Sequence, residues 1–458
     1  MSRVLLADWT TGLAALVVMV ALTLLLRKWA RWQTAGIMTC VFLLGMTLGA
    51  KRQQVMDATQ PGKDSVMEVV VFGEPMLWLA KDSTKKDMVA VDVMTAQRHR
   101  MLRLRFNRDA RSEQIVVGQG ILARTYYNKV TAWQWKEVSL QGLSRLERVR
   151  LRALVWRHQL LERYRQWGME GDTYAVLAAM TLGDKSALGR DVRAMYSKVG
   201  ASHILALSGM HLMVIYGMIT LLIGSRRFRI VAQVVTVLAI WAFALLVGLA
   251  PSVTRAAAMI TTYSLLSLGY RERMSLNTLA FVAIVMLIIN PLALYDVGFQ
   301  LSFMAVLAIL LLNPLMQQVF PPHVQMEHRW LKWLWGLTTI SIAAQIGTAP
   351  LVAYYFGQLP TYFLLTNFIV IPLATVILYL ALLCMAFSFW PLAVSWMTKI
   401  LAAAVVLMNG MLGWIAQLPA CSISGLHPSV LQVALVYVVI GCGYVALSLR
   451  YPVTHRNV

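Results

Sequence analysis

Uninterrupted apolar runs recur along this sequence, and a run of about 18 residues or more leaves a chain few ways to fold. A helix of about 20 residues crosses ~30 Å of hydrocarbon, where no water pairs with a free backbone N–H or C=O. Such runs must satisfy their own hydrogen bonds as helices. Only 13% of the 458 residues are charged and 59% are hydrophobic, whereas soluble domains are about a quarter charged. The fold class expected is a polytopic α-helical membrane protein.

Two runs open the chain, at 10–26 and 36–50, separated by the basic loop Arg27-Lys28-Trp29-Ala30-Arg31-Trp32. Lys and Arg concentrate in cytoplasmic loops, so that loop is placed inside and the chain after Ala50 outside. Arg3 is the only basic residue ahead of the first run, and no small-residue cleavage site follows, so the run is expected to remain as a span. From residue 202 nine further spans are expected, near 202–223, 230–250, 252–270, 275–290, 297–313, 336–357, 363–389, 392–418 and 430–449. Counted from outside, they place Arg226-Arg227-Phe228-Arg229, Arg271-Glu272-Arg273, the loop with His328, Arg329 and Lys332, and the tail with Arg450 and Arg456 all inside. The expectation is about eleven transmembrane helices in a cytoplasmic membrane, with the C-terminus cytoplasmic.

Between the two groups of spans the chain is polar. Residues 51–143 alternate with period two at 66–72, 88–94, 100–106 and 121–127, which predicts a small all-β barrel or sandwich. Residues 144–167 predict an amphipathic helix with an apolar stripe of Leu146, Val149, Ala153, Trp156, Leu160, Tyr164 and Trp167, and seven arginines elsewhere. That helix can lie in the membrane interface or pack on the β domain. Shorter helices follow at 173–182 and 190–199. The organisation read is 1–50 (two spans), 51–143 (β domain), 144–200 (amphipathic and linking helices) and 201–458 (membrane domain). The four cysteines, Cys40, Cys384, Cys421 and Cys442, leave 51–200 without a disulfide framework and have no metal-ligand spacing.

The formal net charge is +21. Basic cytoplasmic loops explain part of it, but residues 51–170 carry 22 basic and 13 acidic residues on the face where that rule is silent. An anionic ligand outside the membrane is the better account. Arg98, Arg100, Arg103, Arg105, Arg124 and Tyr126 are its candidate contacts, with Tyr127, Trp133 and Trp135 available either for base stacking or as core aromatics.

Polar residues also stand where the membrane should be dry, in the stretches 200–212, 248–257 and 290–302. Burying Arg, Asp or His in hydrocarbon costs roughly 2.5–3.5 kcal/mol on insertion scales, so such residues usually face a cavity. All three stretches fall where a helix begins on the outer face, and helix N-termini suit phosphate. Channel-lining candidates are His203, Ser208, Gly209, His211, Arg255, Asp296, Gln300 and Gln345. Plainer roles exist: Arg255 can snorkel, Asp296 can cap its helix, and the two can form a buried pair. Ser208 and His211, three apart, also permit a serine hydrolase, though a base usually comes from another element than its nucleophile. On a continuous helix His203 and His211 sit about 12 Å apart along the axis and about 80° apart around it, which is no metal pair.

These stretches resemble the ComEC family of competence channels. The resemblance rests on 180–188 with Gly183-Asp184-Lys185 at its centre, on His203-Ile204-Leu205-Ala206-Leu207-Ser208-Gly209-Met210-His211, on Pro251–Arg255 and on Asn290–Ser302, with 345–350 and 367–372 behind them. It implies a channel importing single-stranded DNA in natural transformation, with an extracytoplasmic OB-like domain, a separate DNA receptor and a cytoplasmic motor or strand-binding proteins. Many family members carry a metallo-β-lactamase-like domain. The eight histidines here include no H-x-H-x-D-H motif, and no G-x-x-x-x-G-K-[ST] loop occurs. Neither enzymatic activity, metal nor cofactor is therefore expected, and energy must come from elsewhere. The alternatives are the Ser208/His211 hydrolase and a transporter of a small anionic solute.

Overall fold

The computed structural model describes residues 65–78, 88–95, 100–126, 128–137, 143–223, 229–268, 276–319 and 329–450, with a few single positions before residue 50. The two expected N-terminal spans and Arg98 lie outside the described residues.

Six strands form the N-terminal β domain: β1 (Ser65–Val71), β2 (Met76–Trp78), β3 (Met88–Thr95), β4 (Arg100–Asn107), β5 (Gly120–Tyr126) and β6 (Lys129–Lys136). They run in the order β1-β5-β6-β4-β3-β2, and β1 also pairs with β3, which closes five of them into a ring. All pairings are antiparallel except β4 with β6, which run parallel through Arg105 and Lys129. Alternation decides the interior: Val69, Val71, Val91, Val93, Leu104, Phe106, Ile121 and Ala123 form its core. The strands β2 and β6 had no counterpart in the period-two reading. The Trp133-Gln134-Trp135 stretch of β6 follows a register shift at β5 that disturbs the alternation.

The helix α1 (Arg145–Gln166) starts at a capping box, in which Ser144 accepts from the Glu147 N–H and the Glu147 carboxylate accepts from the Ser144 N–H. Its buried face differs from the expected stripe. Ala153 and Tyr164 of that stripe are buried, together with Leu151, Leu154 and Leu161 outside it, whereas Leu146, Val149 and Trp156 are exposed. The helix packs on both other parts of the protein, and its inward face follows from those two partners. Leu151 and Leu154 meet Val70, Phe72, Met94 and Val117 of the barrel, while Leu161 and Tyr164 join the helical core.

The helices α2 (Gly171–Leu182) and α3 (Arg190–Lys198) follow. From Tyr174 to Leu182 every residue of α2 is buried. Beyond them lie α4 (Ser202–Leu205), α5 (Gly209–Ile223), α6 (Arg229–Leu246), α7 (Pro251–Leu268), α8 (Leu276–Ile289), α9 (Val297–Gln317), α10 (Arg329–Phe356), α11 (Phe363–Ala386), α12 (Pro391–Gln417) and α13 (Val430–Arg450). Strands β7 (Gln358–Pro360) and β8 (Ser422–Ser424) pair antiparallel between them. Among the described residues five helices are long and apolar enough to cross a membrane, namely α9 to α13, and α5, α6 and α8 contain shorter apolar helices. The protein is a membrane protein with a β domain near its N-terminus.

The first expected span of this region, 202–223, is not continuous. The helix stops after Leu205, Ala206 is extended, and a second helix starts at Gly209. The interruption lets the segment pack closely: a Cβ on Gly183 would lie 2.7 Å from Leu207, and one on Gly200 would lie 2.7 Å from Pro360. Both glycines also have positive φ.

Candidate functional site

The break after α4 places the histidines. His203 is exposed, and its Nδ1 donates to the Gly200 carbonyl at 3.0 Å. His211, 1% exposed, turns back onto the start of its own helix. Its Nδ1 accepts the Ser208 backbone N–H at 3.2 Å and lies 2.9 Å from the Ser208 hydroxyl. A nitrogen that accepts an amide N–H carries no proton, so the proton of the neutral ring sits on Nε2 and the hydroxyl donates to Nδ1. His211 thus fills the place that Glu or Gln takes in a capping box. Nε2 is buried and has no hydrogen-bond partner among the described residues.

The start of α5 packs on α7. A Cβ on Gly209 would lie 3.5 Å from that of Ala256, the neighbour in sequence of Arg255. Arg255 is 5% exposed. Its Nη1 lies 3.4 Å from Asp296 Oδ1, and the same oxygen accepts the Phe299 N–H at 2.7 Å, capping α9. Capping and pairing, weighed above as alternatives for Asp296, coexist on one atom. Gly298 leaves room for this contact, since a Cβ there would lie 3.0 Å from Arg255 Nη2 and 3.1 Å from Asp296 Oδ1. Gln300 donates through Nε2 to the Leu294 carbonyl at 2.8 Å and accepts from the Tyr355 hydroxyl at 2.7 Å.

The structure therefore groups Ser208, Gly209 and His211 at the start of α5 beside Arg255 of α7, and Arg255 with Asp296 at the start of α9, where Gln300 also stands. Tyr355 joins them from α10, a residue missed by sequence reasoning because its helix begins 26 positions earlier. Gln345 stands apart, ten residues before Tyr355, or about 15 Å along α10. No group of three or more His, Cys, Asp or Glu side chains that could hold a metal occurs among the described residues.

On the barrel, alternation puts Arg103 and Arg105 of β4 and Arg124 and Tyr126 of β5 on the outer side, opposite the buried Leu104, Phe106, Ile121 and Ala123. The strand β6 lies between them and adds Lys129, which is paired in register with both Arg105 and Tyr126. Arg105, Lys129, Arg124 and Tyr126 are thus exposed on one face of three adjacent strands. Tyr127 lies outside the described residues, and Lys129, missed by sequence reasoning, could not be placed on this face without the register. Arg103 is engaged by Asp92 through two bonds of 2.7 and 2.9 Å. That hydrogen bond holds the guanidinium above its usual pKa against partial burial. Arg100 belongs to β4 by its backbone. Trp133 and Trp135 stand opposite Ala123 and Ile121, on the interior side. Trp133 packs edge-on against Phe106 and Trp135 edge-on against Trp133, so the core role holds for Trp133, and Trp135 is exposed at the end of that row.

Comparison with known proteins adds three findings. ComE operon protein 3 of Bacillus subtilis (strain 168) is 28% identical over 289 residues, which cover 60% of this chain and 36% of that protein. An uncharacterised protein of Aquifex aeolicus (strain VF5) is 29% identical over 214 residues, 45% of this chain and 46% of that one. The chain thus spans less than half the length of these relatives, and no solved structure matches it. The competence protein family profile matches residues 180–450, which include α5, α7 and α9 with the whole Ser208–Gln300 grouping. With more than half its length under that profile, the chain belongs to the competence protein family, the one its resemblance to ComEC proteins implied.

Proposed function

We propose that the chain is an inner-membrane channel for single-stranded DNA during natural transformation. The observation that carries this reading is Arg255, a buried guanidinium held at the start of an otherwise apolar helix bundle, beside two further helix starts that present His211 and Asp296. A charge in that position is costly and typically marks a conduction path. About eleven helices would cross the bacterial cytoplasmic membrane, the barrel outside and the C-terminus within. The closed five-strand ring β1-β5-β6-β4-β3 supports reading the β domain as OB-like. Its outer face with Arg105, Arg124, Tyr126 and Lys129 would gather the strand by backbone attraction and stacking. A separate receptor would deliver the DNA, and a cytoplasmic motor or strand-binding proteins would draw it in.

The test is DNA import in a competent host carrying Arg255→Ala in place of the native chain, with the amount of protein in the membrane measured alongside. Bound external DNA that no longer reaches the cytoplasm, at unchanged protein level, supports the reading. Full import sinks the role given to Arg255.

A second reading draws on the 2.9 Å contact between Ser208 Oγ and His211 Nδ1, which also suits an intramembrane serine hydrolase. The capping geometry already accounts for that contact, and labelling of Ser208 by a fluorophosphonate would revive the hydrolase.

A further inference from the structure

The helix α10 is long and apolar enough to cross a membrane, yet one side of it is polar. Thr338, Ser341, Gln345, Thr348 and Tyr355 follow at spacings of three, four, three and seven. On a helix they share an arc of about 100°, where Val352 is the apolar exception between 338 and 355. The row rises about 26 Å, close to the ~30 Å of the hydrocarbon core. Its outer end joins the site described above, because the Tyr355 hydroxyl donates to Gln300 on the start of α9 that Asp296 caps.

Two plainer roles for such a row fail here. Polar side chains can hold membrane helices together through interhelical hydrogen bonds. Thr338 and Thr348, however, donate to the Leu334 and Ala344 carbonyls of their own helix at 2.8 Å. Ser341 and Gln345 have no hydrogen-bond partner among the described residues. A row turned to lipid would instead be exposed, with the Gln345 amide unpaired in hydrocarbon at high cost. Ser341 is 4% exposed and Gln345 half-buried, whereas Ile340, 43% exposed, lies about 140° from Gln345 around the helix. Gly347, pressed on Met304 and Ala308 of α9, lies about 160° from Gln345, so at mid-helix the row does not face α9 either. An amide neither paired with protein nor turned to lipid needs water.

We propose that this side of α10 is the wall of a water-filled passage crossing the membrane, from the Arg255–Gln300 grouping at its mouth to the level of Thr338. The guanidinium stands at the mouth, and the wall beyond it offers hydroxyls and an amide. Neutral dipoles replace part of an anion's hydration, and a wall without fixed cations does not hold the anion back, as conduction requires. The DNA cargo follows from the channel reading; the water follows from Ser341, Gln345 and Thr348.

Thiol accessibility tests the passage without DNA. The full chain, with Cys40, Cys384, Cys421 and Cys442 replaced by alanine, carries Ser341→Cys, Gln345→Cys or Thr348→Cys. Ile340→Cys and Val439→Cys, at exposed apolar positions, serve as lipid-facing controls. Each chain is reconstituted in nanodiscs and treated with a charged, water-soluble methanethiosulfonate. Labelling at 341, 345 and 348 is expected to be faster than at 340 and 439 by about tenfold or more, because the reactive thiolate does not form in hydrocarbon. Rates at 341, 345 and 348 no higher than those of the controls overturn the passage. Native circular dichroism and complete labelling after denaturation confirm that the comparison is made on folded, reactive chains. Import of DNA in a competent host carrying Gln345→Cys, or Thr348→Cys as a second variant, is then measured before and after the same reagent. Import lost on labelling supports the passage as the route of the strand. A labelled thiol with unchanged import confirms the passage and overturns DNA as its cargo, while an unlabelled thiol overturns the passage whatever the import.

Discussion

His211 closes the start of the helix it belongs to by accepting both the backbone N–H and the hydroxyl of Ser208 on a single nitrogen, Nδ1. Two donors on one acceptor make the ring, rather than the hydroxyl, the indispensable partner. Ser208→Ala removes one bond and leaves the backbone N–H satisfied. His211→Ala leaves two polar groups unpaired at a partly buried helix start. The expected thermal destabilisation is about 1 kcal/mol or less for Ser208→Ala and about 1–3 kcal/mol for His211→Ala. A reversed order, measured by melting of purified protein in nanodiscs, would show that capping is not what the pair does.

Asp296 Oδ1 both caps α9 and faces Arg255, and Asp296→Asn separates these roles. The amide oxygen still accepts the Phe299 N–H, while the charge opposite the guanidinium is lost. The side chain is half exposed, so solvent already weakens the ion pair and the effect on stability is small. DNA import is expected to fall while the protein stays folded and present in the membrane. Import equal to that of the native chain would leave Asp296 with its capping role alone.

Gly347 sets the closest helix contact among the described glycines, because a Cβ there would lie 2.4 Å from Ala308 Cβ and 2.7 Å from the Met304 carbonyl oxygen. Backbone cannot move aside as a side-chain tip can. Gly347→Ala must push α9 from α10 and should cost about 1–3 kcal/mol, as other overpacked cores do. A melting temperature equal to that of the native protein would show that the two helices separate freely.

His158 joins α1 to the barrel through Glu74, with Nδ1 to Oε1 at 3.0 Å. The hydrogen bond to Glu74 raises the histidine pKa, against an opposing effect of burial. A group whose folded pKa is raised stabilises fully below its unfolded value, about 6.5, and loses that contribution as pH rises through the folded value. The α1–barrel junction should therefore resist proteolysis better at pH 6 than at pH 8.5. His158→Gln should flatten the difference, and an equal pH response in that variant would remove His158 as its source.

Arg105, Arg124 and Lys129 share the outer face of β4, β5 and β6. If they hold phosphates, each substitution by Ala lowers the slope of log affinity against log salt by about 0.7 for single strands. Binding of a labelled oligonucleotide to the full chain in nanodiscs at several salt concentrations measures it. An unchanged slope in the triple variant would move the DNA surface elsewhere.

The long apolar runs and the period-two alternation of Arg103-Leu104-Arg105-Phe106 were readable without any structure, because each reflects a residue's immediate periodic surroundings. The same locality explains why a helix at α1 was legible and its buried face was not. Leu146, Val149 and Trp156 satisfy helical spacing as well as Leu151, Leu154 and Leu161 do. Only the barrel on one side and the helical core on the other select between them.

What the sequence determined by itself was the membrane class, the β character of the region before α1, and the polar stretches around Ser208, Arg255 and Asp296. Each follows from hydropathy, alternation or the cost of a polar group within a few residues. Tertiary structure alone decided the break between α4 and α5, the third partner Tyr355, and the meeting of Arg105 with Lys129. These depend on residues far apart in the chain. Packing at Gly183 and Gly200, where no Cβ fits, and strand register bring such residues together, and neither leaves a periodic trace in the sequence.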